Sequence, residues 1–288
     1  MISLENTKIH ASFSAKGGEL QNLRHKETNL EYLWSGNPDY WGKFSPILFP
    51  IVGGLKNNTY YFRDKAFTLP RHGLARDREF KVNQISETEI LFTLEQDEES
   101  LKVYPFEFRL GLRYTLSEDT LSCAYEVTNP GNQVLWFSIG GHPAFSVPLK
   151  DGLEYGDYYL QFNKDHQLIS NKIKQDLIDD ETDTIALTDG KLPLKHELFY
   201  EDALVFKNLQ SDSISLKSDA DPHGLEFQFK GFPFFGIWSA KDADFVCLEP
   251  WCGIADGIHH QQKLEEKEGI MSLPPKAEWT RKWQVTCF

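Results

Sequence analysis

Apolar and polar residues alternate with a period of two over much of the chain, and the pattern is clearest between residues 106 and 127. Phe106, Phe108, Leu110, Leu112, Tyr114 and Leu116 fall on one face, while Glu107, Arg109, Arg113 and Thr115 fall on the other. After "SEDT" the alternation resumes with Leu121, Cys123, Tyr125 and Val127. Period two with one apolar face predicts an antiparallel hairpin. "TYYF" and "AFTL" predict a second around a three-residue turn, "RDK"; "KVNQI" and "EILFTLEQ" predict a third around "SETE". Further strands are expected at "YYLQF", "ALVFKNL", "SISLKS", "LEFQF", "FFGIWSA", "FVCLEP" and "EWTRKWQVTCF". Helical signal is thin: "QKLEEKEGI" predicts one or two turns, "KIKQDLIDD" reads either way, and "EQDEES" reads as a solvated acidic loop. Antiparallel strands from one end of the chain to the other predict an all-β fold, a large antiparallel β-sandwich with few short helices, as one domain over residues 1–288.

Composition narrows the partners. The 288 residues hold 30 Lys and Arg against 43 Asp and Glu, a net charge of −13. Such a charge repels phosphate backbones and anionic lipid, so neither nucleic acid nor a membrane is an expected partner. The start, "MISLENTKIHASFSAKGG", lacks the apolar core of a signal peptide, and no apolar run approaches the ~20 residues that span a bilayer. A soluble cytoplasmic protein is expected, monomer or homodimer. Cys123, Cys247, Cys252 and Cys287 include no CxxC pair and are read as free thiols. Aromatic residues make up 14% of the chain, which suits strands and also flat apolar faces that lie against a pyranose.

Three stretches place acid–base residues among turn-forming or apolar neighbours. In "RHGLARD", Gly73 permits a turn and holds His72 at a loop or strand edge; Arg71, Arg76 and Arg78 surround it, with Asp77 and Glu79 as candidate ion-pair partners. In "SIGGHPAFSVP", Gly140 and Gly141 clear side chains before His142, and Pro143 biases that histidine toward extended backbone. In "FVCLEPWCGIAD", Glu249 follows an apolar strand and precedes Trp251, where a carboxylate is costly unless paired or used. Two histidines and a glutamate brought to one mouth of a sandwich would form an acid–base pair with an extra donor. No GxSxG, GKS/T or GxGxxG motif is present, and the adjacent His259 and His260 do not favour a metal site.

"HGLARD", "GGHPAF" and "CLEPWCGIAD", in that order, resemble the aldose 1-epimerase (galactose mutarotase-like) family, in its LacX-type branch. "PILFPIVG", "YPFEFRLGLRYTL", "EDALVF" and "LPPKAEWTRKWQV" extend the likeness along nearly the whole chain. The resemblance implies a β-sandwich that interconverts the α and β anomers of a hexose by acid–base ring opening, with no cofactor or metal. It implies His142 as general acid and Glu249 as general base, with His72, Arg76, Asp202 and Trp251 binding the sugar. Many relatives carry an arginine just after "FPIVG", where this chain has Gly54; Lys56, or Arg71 or Arg76, is the expected replacement. A carbohydrate-binding protein without turnover and a mutarotase of hexose 6-phosphates are the alternative readings.

Overall fold

A computed structural model of the chain describes residues 2–288. The alternating stretches form the core of a nine-stranded antiparallel sheet. Its strands lie in the order Lys191–Pro193, Tyr158–Phe162, Ser213–Ser218, Leu225–Gln228, Glu278–Cys287, Thr120–Thr128, Arg109–Ser117, Glu89–Glu95 and Lys81–Gln84. The register of the central hairpin pairs Leu110 with Val127, Leu112 with Tyr125, Tyr114 with Cys123 and Leu116 with Leu121, all buried. A second sheet runs from Leu177–Ala186 through Gln167–Lys174, Leu204–Phe206, Phe234–Trp238, Phe245–Cys252 and Ile139–Gly141 to Ile47–Leu48, with Ala144–Ser146 also paired to Phe245–Cys252. The inner faces meet through aromatic rings: Phe227 of the first sheet, and Phe229 just beyond the end of the same strand, lie 6.2 and 4.2 Å, centroid to centroid, from Phe235 of the second. This is the expected antiparallel sandwich. No helix among the described residues is long and apolar enough to cross a membrane.

Two local expectations need correction, and two looser ones become specific. The "TYYF"–"AFTL" hairpin turns on two residues, Arg63 and Asp64, with φ of 48° and 60°, because paired left-handed residues match the twist of the flanking strands. "EQDEES" leads into a helix, Glu98–Val103: Asp97 accepts the Ser100 N–H at 2.6 Å while the Ser100 hydroxyl accepts the Asp97 N–H at 2.8 Å, so part of that acidic run caps a helix. "KIKQDLIDD" is the tip of a long hairpin, Gln167–Lys174 with Leu177–Ala186, that turns on Gln175 and Asp176. Of "QKLEEKEGI", only Leu264–Glu266 is helical, as a 3₁₀ turn.

Candidate active site

The strand Phe245–Cys252 is buried at all eight positions and organises the site. Along one edge it pairs first with Ala144–Ser146, Ala144 opposite Cys247, and then with Ile139–Gly141, Gly140 opposite Trp251. The Leu248 N–H donates to the Pro143 carbonyl at 3.1 Å between the two. Carrying the register through the gap sets His142 across from Glu249. The two are therefore cross-strand neighbours despite 107 positions of separation in sequence. His142 Nε2 lies 3.3 Å from Glu249 Oε2.

The glycines around this strand make room for it. A Cβ on Gly140 or Gly236 would come within 2.6 or 2.5 Å of the Trp251 indole, which is thereby laid into the floor of the site. A Cβ on Gly141 would strike the Tyr125 hydroxyl of the facing sheet. His72 reaches the same place from a turn, with φ of 68° that non-glycine residues rarely adopt. Its conformation is held by its N–H to the Gly53 carbonyl at 2.9 Å and by its carbonyl, which accepts the Phe49 N–H at 3.3 Å. The His72 and His142 rings meet edge to face at 5.8 Å. Trp41 stacks on His142 at 4.9 Å, and Trp238 packs against its edge at 5.6 Å.

These groups line one cleft of about 180 Å³. His72, Arg76, His142, Asp202, Glu249 and Trp251 all line it. Lys56 does not: its backbone N–H donates to Asp256 at 2.9 Å and its amine to the Ile258 carbonyl at 2.8 Å, which commits the side chain to the neighbouring loop. Arg78 pairs with Asp97 at 3.1 Å, away from the cleft. The sequence reading missed Trp41, Trp238, Asp176, Ile173 and Ile178 as lining residues. Trp41 comes from a segment without periodicity, and the other residues carried no local mark to separate them from core or turn positions.

Electrostatics divides the pair. Burial lifts the Glu249 carboxyl to about 8; Arg71 and the Trp251 indole oppose the rise, and Asp202 adds to it. Burial lowers His142 to about 3, with Arg71 and Arg76 pushing the same way. His72 is held well below the ordinary range by burial, then by Arg71, His142 and Arg76. At neutral pH the His142–Glu249 pair therefore carries one proton, resting on the carboxyl. His142 Nδ1, Glu249 Oε2 and Trp251 Nε1 are buried and have no protein partner in hydrogen-bonding geometry, which leaves polar capacity for a ligand.

One contact is unbalanced. The Gly53 N–H points at His72 Nδ1 at 3.1 Å and the Arg71 Nε–H at His72 Nε2 at 3.2 Å. A neutral imidazole has one acceptor nitrogen, so it satisfies only one of these two donors.

His142, Cys247 and Glu249 have ligand atoms within 4.8 Å of one another, a spacing that would admit a metal ion. Burial raises the Cys247 thiol and Glu249, favouring their protonated forms, and two guanidiniums line the same cleft. That charge environment opposes a cation.

Comparison with known proteins agrees with this geometry. Residues 1–272 match the family model described as aldose 1-epimerase. The chain belongs to the aldose 1-epimerase family. It is 32% identical to the chromosomal protein LacX of Lactococcus lactis subsp. lactis, over 99% of this chain and 98% of that one. Among solved structures it is similar to a galactose mutarotase related enzyme from Lactobacillus acidophilus, with a TM-score of 0.95 and 33% identity over 99% of this chain and 96% of the other. A galactose mutarotase-like protein from Lactobacillus casei ATCC 334 matches with a TM-score of 0.91 and 31% identity over the full length of both.

Proposed function

We propose that this member of the aldose 1-epimerase family is a mutarotase: it interconverts the α and β anomers of a hexose with His142 as general acid and Glu249 as general base. The observation that carries the reading is the buried pair itself, with His142 Nε2 3.3 Å from Glu249 Oε2. The ring oxygen and the anomeric hydroxyl of a pyranose are bonded to one carbon. A donor and an acceptor spaced by little more than a hydrogen bond match those two oxygens.

The steps balance without a cofactor. The single proton moves from Glu249 to His142, a tautomeric change within the pair. Glu249 then takes the proton of the C1 hydroxyl while His142 delivers its proton to the ring oxygen. The C1–O5 bond breaks, leaving an aldehyde at C1 and a hydroxyl at C5. Rotation about C1–C2 presents the other face of the aldehyde. The C5 hydroxyl attacks it, gives its proton to His142, and the carbonyl oxygen regains a proton from Glu249. His72 and Asp202 hold sugar oxygens, and Trp41, Trp238 and Trp251 give apolar faces to the ring.

NMR exchange or polarimetry on fresh α-glucose and α-galactose tests the reading. Glu249→Gln and His142→Gln should each lower kcat by about 10²–10⁴-fold, the range for a lost proton carrier. Sugar binding by the wild-type protein with no faster anomer exchange would show a binding protein in place of an enzyme.

A further inference from the structure

Beyond the acid–base pair, one end of the cleft is built by a residue couple that neither the family match nor the mechanism accounts for. Arg71 Nη1 and Asp176 Oδ1 form an ion pair at 2.6 Å, and both side chains line the cleft. They come from different elements: Arg71 precedes the His72 turn, and Asp176 is the tip of the hairpin Gln167–Ala186. The tip is seated on Gly54. A Cβ there would come within 2.8 Å of the Asp176 carbonyl and 3.1 Å of its Cβ, so a side chain at position 54 and the hairpin tip exclude each other. The hairpin is fastened below its tip, where the Ile178 N–H donates to the Asp256 carbonyl at 2.9 Å and the Ile258 N–H to the Ile178 carbonyl at 3.0 Å. The Asp256 N–H donates in turn to the Gly54 carbonyl at 2.9 Å. Arg71 is braced from behind, where Arg76 Nη2 donates to its carbonyl at 3.0 Å.

We propose that Arg71 and Asp176 are the specificity-determining wall of the site and that they select an unphosphorylated aldose. The Arg71 guanidinium offers N–H donors to one oxygen of the sugar, and Asp176 offers an acceptor to a neighbouring hydroxyl. A vicinal diol has both capacities on adjacent carbons; a phosphate has acceptors only and would meet the Asp176 carboxylate. Arg71 and Arg76 line the cleft together with Asp176 and Asp202. Gly54 is part of the device, because its missing side chain is the space the wall occupies.

This inference rests on the mutarotase reading for its kinetic test, and a binding test separates the two. Anomer exchange by NMR on glucose, galactose, glucose 6-phosphate and galactose 6-phosphate should give a wild-type kcat/KM about tenfold or more in favour of the neutral sugars. Arg71→Gln should raise KM for neutral aldoses about 10- to 100-fold, as expected for a lost hydrogen bond from a charged group, and change kcat much less. Asp176→Asn keeps the shape, removes the negative charge, and should shift the neutral-to-phosphate ratio about tenfold toward the phosphates. Gly54→Ala should displace the tip and move the ratio the same way. A wild type that prefers the phosphates, or an unchanged ratio in Asp176→Asn, overturns the wall. If the wild type accelerates no exchange, the mutarotase reading falls. Calorimetric affinities of glucose and glucose 6-phosphate for wild type and Asp176→Asn then decide the wall by the same ratio.

Discussion

Glu249 shows how burial can hold a carboxyl in its protonated form. Its carboxyl is buried in mid-strand and lifted from 4.5 to about 8. The unfolded chain releases that proton near 4.5, so between pH 4.5 and 8 the native state binds more protons than the unfolded state. The contribution of this group to stability is complete below 4.5 and is lost as pH rises through 8. Glu249→Gln should therefore raise the unfolding free energy at pH 8, on the order of 1–3 kcal/mol, and flatten its pH dependence. Denaturant titrations at pH 5 and pH 8 check the sign. Turnover has a related signature. The reactive state carries one proton on the pair, so kcat/KM should hold a plateau from about 3 to about 8 and fall about tenfold per pH unit above it. A midpoint near that of free imidazole would mean that burial does not set the working protonation state.

At the scale of elements, what was legible in the sequence and what was not divide along a physical line. Strands with one wet and one dry face show themselves by period two, which is why the central hairpin was readable to its register. Leu177–Ala186 was missed because six of its ten residues are polar and most are exposed, leaving no alternation to detect. His142, Glu249 and His72 were legible as candidates because each interrupts an apolar or glycine-rich stretch. Trp41 and Asp176 were not, since only tertiary contacts bring them to the cleft. Lys56 looked near enough in sequence to reach the sugar, yet the loop after Trp251 claims it. That loop depends on Asp256, which pairs with Lys267 at 2.8 Å with both side chains at most 1% exposed. Lys267→Ala leaves the carboxylate buried without its cation and should cost about 3–5 kcal/mol, read as a lower unfolding temperature. Because Asp256 also fastens Ile178, the same variant should raise KM for the sugar.

Over the whole molecule, a net charge of −13 surrounds a cleft lined by two arginines, two aspartates and Glu249. The long-range field repels anions, while a neutral solute is indifferent to it. KM for a neutral aldose should stay flat as NaCl is raised from about 0.01 to about 1 M, over which the screening length falls from ~30 to ~3 Å. KM for a sugar phosphate should fall over the same range until screening is complete. Initial-rate measurements across that series check both.

The cross-strand placement of His142 and Glu249 has a mechanical corollary. Acid and base ride on one backbone ladder, whereas Asp176 hangs from a hairpin end with its own fastening. Thermal breathing that swings the hairpin outward leaves the spacing of the two proton carriers intact. Mild warming or dilute urea should accordingly erode the protein's grip on its sugar well before it slows the turnover of sugar already held.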